Sequence, residues 1–125
     1  MGGRMKRAFS LLLSLYLIMS LTVPAAASPK AAARVDVTVR PDSIVRIGAG
    51  LSLETGELVT VNCAYSPRIA EVDFGLVSAN NEFGYFSGND GICSETIRIS
   101  KTGIYYFAIR NNFEEPVEVT GYVYY

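Results

Sequence analysis

The chain has 125 residues, half of them hydrophobic, with eleven Lys and Arg against twelve Asp and Glu, two cysteines and no histidine. The three basic residues near the start set aside, acidic residues outnumber basic ones twelve to eight, which argues against a nucleic-acid partner. Without histidine there can be no Ser-His-Asp triad, no Cys-His pair and no imidazole metal site.

Read from the start, Arg4, Lys6 and Arg7 form a basic head before the uncharged run "AFSLLLSLYLIMSLTV", Ala8 to Val23. "PAAASP" follows, with the small residues Ala25 and Ala27 at the −3 and −1 positions of an A-x-A site. Basic, apolar and small in that order is a secretory signal peptide. Residues 1–27 are therefore expected to be cleaved, leaving a mature chain from Ser28 and no stable membrane anchor. The alternative is an uncleaved anchor, but the apolar run is shorter than the ~20 residues of a bilayer span. A second A-x-A at Ala31 to Ala33 leaves the exact cleavage point open. Loss of the three basic residues leaves eight Lys and Arg against twelve Asp and Glu. Residues 28–33, "SPKAAA", read as a flexible leader.

From residue 34 the pattern is strand after strand. "RVDVTVR" alternates Val35, Val37 and Val39 against Asp36, Thr38 and Arg40, the period of a half-buried strand. "SIVRIGAGLSL" carries Gly48 and Gly50, which predict a bulge or bend. After the turn "TGE", "LVTVNCAY" sets Val59, Val61, Cys63 and Tyr65 on one face. "EVDFGLVS" points Val72, Phe74 and Leu76 inward. "FGYFS" forms a short fifth strand between the turns "ANNE" and "GNDG". "TIRIS", "GIYYFAIR" and "PVEVTGYVYY" complete the set. About eight short strands at regular spacing predict an antiparallel β-sandwich or small barrel, one domain over residues 34–125.

The two cysteines lie on or beside strands. An even count in an exported domain of this size predicts a Cys63–Cys93 disulfide, with two unpaired thiols as the competing reading. Asn80, Asn81, Glu82, Asn89 and Asp90 offer hard oxygens in two loops beside Asp73, but Asn, Asp and Gly are also the ordinary turn residues, and no DxDxDG run is present. Glu114 and Glu115, adjacent in a turn, read as solvated. No catalytic, cofactor-binding or metal-binding residue is expected.

The order from "GELVTVNCAY" through "VDFGLVSANNEFGYFS" to "TIRISKTGIYYFAIRNNFEEPVEVTGYV" resembles the bacterial pre-peptidase C-terminal type of β-sandwich and, more loosely, GOLD-type sandwiches. The likeness covers roughly residues 57 to 123 and rests on the "T-V" strand, the Asn-rich turn and "TG-Y-F-RN". It implies a jelly-roll-like, non-catalytic domain of the kind usually attached to secreted enzymes. With no enzyme domain in these 125 residues, the sequence is expected to be a stand-alone secreted relative.

Near the end, Tyr105, Tyr106, Tyr122, Tyr124 and Tyr125 crowd two alternating stretches. Pairing these as a hairpin through "NNFEE" sets Tyr105 opposite Gly121 on the core side. Tyr106, Tyr122 and Tyr124 then share the outer face. Tyrosine offers large, stiff contact area with a hydroxyl, so those three are the candidate binding face, against a covered packing layer as the plainer reading. The sequence thus predicts a secreted, extracellular, non-catalytic binding module for an unknown protein or a cell-surface polymer, without cofactor. Its alternatives are an extracellular structural or self-assembling protein and a small effector or inhibitor.

Overall fold

A computed structural model of the protein describes residues 31–125; the expected signal peptide, residues 1–27, and residues 28–30 of the leader lie outside the described residues. The strands are β1 (Ala32–Val39), β2 (Ser43–Leu53), β3 (Leu58–Ser66), β4 (Val72–Ser78), β5 (Phe83–Ser87), β6 (Ile92–Arg98), β7 (Gly103–Asn111) and β8 (Val117–Tyr124). The first strand begins two residues inside the segment expected as leader, where Ala31 and Tyr125 exchange backbone hydrogen bonds of 2.9 and 3.0 Å. No helix occurs among the described residues.

Two four-stranded antiparallel sheets are stacked, one in the order β1-β8-β3-β6 and the other β2-β7-β4-β5. Every connection except the β4–β5 hairpin passes from one sheet to the other, which is jelly-roll topology. The alternation of period two works as the sequence predicts: Val35, Val39, Val59, Val61, Val117, Val119 and Val123 of the first sheet are fully buried against Phe74, Ile109 and Phe107 of the second. Apolar side chains from both inner faces thus form one core between sheets stacked about 10 Å apart. The glycine-marked break in β2 is also present, since its register against β7 slips between Ile47 and Leu51, where Gly48 takes a φ of 75°.

The expected β7–β8 hairpin is not formed. β7 pairs with β2 and β4, and β8 pairs with β1 and β3, so the two lie in opposite sheets. Asn111 makes the crossing. Its fully buried amide donates to the carbonyls of Val39, at 3.1 Å, and Glu115, at 2.8 Å, while its Oδ1 accepts from the Phe113 N–H at 2.8 Å. The end of β7 is thereby tied to the end of β1 across the sandwich, and the turn that follows delivers the chain to the other sheet. Gly121 consequently faces Val35 and Cys63 instead of Tyr105.

Candidate ligand-binding cleft

The three tyrosines expected to share a face do not. Tyr106 lies on the outer side of the β2-β7-β4-β5 sheet, whereas Tyr122 and Tyr124 lie on the outer side of the β1-β8-β3-β6 sheet, because the strands carrying them belong to different sheets. Tyr106 is half-buried beneath Arg46, whose guanidinium carbon is 4.8 Å from the ring centre, and beside Gly50, where a Cβ would come within 3.2 Å of the ring. That is packing. Tyr122 and Tyr124 stack on one another at 6.1 Å, with Tyr122 45% exposed amid the polar positions Arg34, Asn62 and Thr60.

Cys63 and Cys93 face one another directly across β3 and β6, both buried, and both are free thiols in this structure, not the expected disulfide. The geometry agrees with the pairing and differs only in the bond. Burial pushes the thiols up to about 11 and about 12, so each stays protonated and unreactive near neutrality.

The loop oxygens considered for calcium serve turns and arginines. Asn81 and Asp90 adopt φ values of 65° and 54°, the left-handed conformation that Asn and Asp tolerate. The Asn81 Oδ1 accepts from Arg46 at 2.7 Å, and Asp90 faces Arg68 at 3.8 Å.

A different constellation is assembled on the outer face of the second sheet. One row across β2, β7, β4 and β5 reads Ile44, Arg110, Asp73 and Ser87, and the next reads Arg46, Ala108, Gly75 and Tyr85. Asp73 is 5% exposed, and its carboxylate is saturated. Arg110 donates to its Oδ2 through Nε at 3.0 Å and Nη2 at 2.7 Å, Asn112 donates at 2.8 Å, and Ser87 donates to Oδ1 at 2.8 Å. Burial alone would raise the pKa of Asp73. The donated hydrogen bonds and the positive charge of Arg110 outweigh it and hold the carboxyl below its usual range.

Held at that end, the guanidinium extends diagonally across the sheet. Its central carbon lies 4.5 Å from the centre of the Tyr85 ring and 5.0 Å from that of Phe83, and the two rings stack 5.1 Å apart. Gly75 stands between Ala108 and Tyr85 with no side chain to bar the way. A Cβ there would come within 1.9 Å of the Gly84 carbonyl oxygen, so glycine is required by the β4–β5 approach itself.

This row opens into a cleft of about 830 Å³ at one end of the sandwich, walled by the β3–β4 loop with Arg68 and Glu71, the β5–β6 turn with Asn89 and Asp90, and Asn112 after β7. Tyr65 closes its floor. The residue is 5% exposed, and its hydroxyl is buried with no hydrogen-bond partner. Burial raises its pKa, keeping the O–H protonated as a donor. The hydroxyl is covered by the β5–β6 turn at Gly88, so Tyr65 supports the cleft from beneath and does not reach into it.

No model of a known protein family and no curated protein sequence matches this chain.

Nothing in the sequence grouped Asp73, Arg110, Tyr85 and Tyr65. A usable signal was present, however. Asp73 interrupts the apolar run "VDFGLV", Arg110 ends "YYFAIR", and a charge within a core strand needs a partner. "FGYFS" likewise repeats aromatics at i and i+2, which puts Phe83 and Tyr85 on one face.

Proposed function

We propose that the protein is a secreted, non-catalytic binding module whose ligand seat is this cleft, and that the ligand is a neutral polysaccharide of the cell surface or its surroundings. The observation that carries the reading is the half-exposed Tyr85 ring standing beside a hydrogen-bonded Arg110–Asp73–Asn112 array. A sugar ring presents an apolar C–H face flanked by hydroxyls that donate and accept. An aromatic plate next to fixed, planar polar groups is its complement. Charge supports a neutral ligand, because Arg68 and Arg110 are nearly balanced by Glu71, Asp73 and Asp90 around the cleft.

The signal-peptide layout supports export, and a histidine-free sequence supports binding without reaction. The two-sheet jelly-roll order is compatible with the proposed likeness to pre-peptidase C-terminal sandwiches. In the oxidising compartment reached by export, the facing Cys63 and Cys93 are proposed to become a disulfide.

Retention on insoluble polysaccharides, followed by calorimetry with soluble oligosaccharides, tests the reading. Tyr85→Ala is expected to lose at least ten-fold in affinity with an unchanged fold, since the ring is half-exposed. No retention on any neutral polysaccharide, or undiminished binding by Tyr85→Ala, refutes it.

A further inference from the structure

We infer that the protein pairs with a second copy of itself through the free edge of β5, joining two sheets into one eight-stranded sheet. β5 is the outermost strand of its sheet, and its sequence "FGYFS" has neither a charge nor a proline. β5 is blunted only by its length of five residues, whereas the other three edges carry charges or a register slip that discourage pairing. β1 has Arg34 and Asp36, β6 has Glu95 and Arg98, and β2 has Arg46 and the slip between Ile47 and Leu51.

Which backbone groups are free at this edge follows from the β4–β5 ladder. Ser78 N–H donates to Glu82 at one end, and Gly88 N–H donates to the Val72 carbonyl at the other. Antiparallel bonding alternates, so Gly84 and Phe86 bond to β4, while the N–H and C=O groups of Phe83, Tyr85 and Ser87 point off the sheet. A two-fold axis through Tyr85 turns these three residues onto themselves. Tyr85 then meets Tyr85 of the partner subunit, and Phe83 meets Ser87 of the partner subunit, each as a mutually hydrogen-bonded pair.

The side chains fit the same register. Between the bonded pairs, Gly84 falls opposite Phe86 of the partner subunit at the closer, non-bonded spacing. A Cβ on Gly84 would have nothing within 4 Å, and Phe86 is 39% exposed on the core side of its strand. Each Phe86 ring therefore lies over the open space at the opposite glycine, an aromatic–glycine pairing that stabilises strands. Phe86 also borders a groove of about 550 Å³ between β5 and β6, where Leu76, Ile97 and Ile99 stand beside Glu82, Arg98 and Lys101, and the joined edge walls it off. No charged residue of β5 is brought against its own copy. Because the axis stands perpendicular to the sheet, both clefts open on the same side. The inference is independent of what they bind.

Analytical ultracentrifugation of the purified protein from about 1 to 100 μM tests it, a range in which a small interface is still partly populated. Twice the chain mass is expected at the top of the range, falling on dilution. Gly84→Lys, a side chain directed into open space in one copy but against Phe86 of the partner subunit, is expected to sediment as a single chain throughout. Tyr85→Cys is expected to cross-link to its own copy under mild oxidation, whereas Thr120→Cys on the far sheet does not. A single-chain mass for the unmodified protein at every concentration overturns the inference. So does a dimer that survives Gly84→Lys. Should Gly84→Lys fail to fold, the Tyr85→Cys cross-link decides alone, its absence counting as refutation.

Discussion

Arg110 and Asp73 face one another across β7 and β4, joined through Nε and Nη2 to a single carboxylate oxygen at 3.0 and 2.7 Å. The Asp73 side chain is 7% exposed and that of Arg110 is 33% exposed, so the pair is largely shielded from water on one side only. Asp73→Asn removes the charge that Arg110 was placed to meet. A loss of about 2–3 kcal/mol is expected, below the range for a wholly buried pair because Arg110 retains some solvent. For a domain of this size, that lowers the melting temperature by roughly 10 °C or more. Calorimetric melts of the two proteins at neutral pH check it.

The same carboxylate sets an acid limit. Its folded pKa lies below the ordinary 3.8, so its contribution is present in full above that value and disappears as pH falls through the folded pKa. The melting temperature of the unmodified protein is therefore expected to fall more steeply below about pH 4 than that of Asp73→Asn. Parallel pH-dependent curves for the two would show that Asp73 is not the group responsible.

The sequence predicted a bond between Cys63 and Cys93; the structure has two free thiols that stand opposite one another on β3 and β6, because the alternation that buries Val59, Val61 and Tyr65 also turns Cys63 inward. With pKa values pushed up to about 11 and about 12, the thiols in the reduced, folded protein are expected to resist alkylation at pH 8 and to react on unfolding. In protein recovered after export, mass spectrometry of unreduced peptides is expected to find the two joined. Loss of two electrons to the compartment's disulfide oxidants would accompany release of both thiol protons. Free thiols at both positions would end that expectation.

Gly121 shows why alternation alone misplaces the end of the chain. Its place opposite an aromatic was inferred from a hairpin, yet the true neighbours are Val35 and Cys63, and the backbone is held at a φ of 148°. A Cβ would lie 2.3 Å from the Asn62 carbonyl oxygen and 2.6 Å from the Cys63 Cα. Both neighbours are rigid backbone. Gly121→Ala is accordingly expected to lose at least about 3 kcal/mol, or to prevent folding, measured by urea unfolding.

How much of this was legible follows from the range of each signal. Alternation is local, so the strands, the bulge at Gly48 and the inward faces of β3 and β4 could be read directly from the residues. Sheet membership is not local. A five-residue connection can close a hairpin or cross a sandwich, and β7 and β8 alternate identically in either case. What decides between them is Asn111, whose amide bonds to carbonyls near β1, more than seventy residues away in the chain. The cleft depends on the same long-range choice, since Arg110 reaches Tyr85 only once β7, β4 and β5 are neighbours in that order.

The tyrosines of β8 remain as a test of the surface. Tyr122 is half-exposed, and Tyr124 is half-buried against it, so replacing both with Ser removes a stacked pair but little core area. A loss of about 1–2 kcal/mol is expected, well short of what two buried rings would give. Binding to polysaccharide should be unaffected, because these side chains lie on the opposite sheet from Tyr85 and Arg110. A thermal melt and a retention assay on the same double variant separate the possibilities. Retention lost without a large drop in melting temperature would move the ligand seat from the cleft to the β8 face.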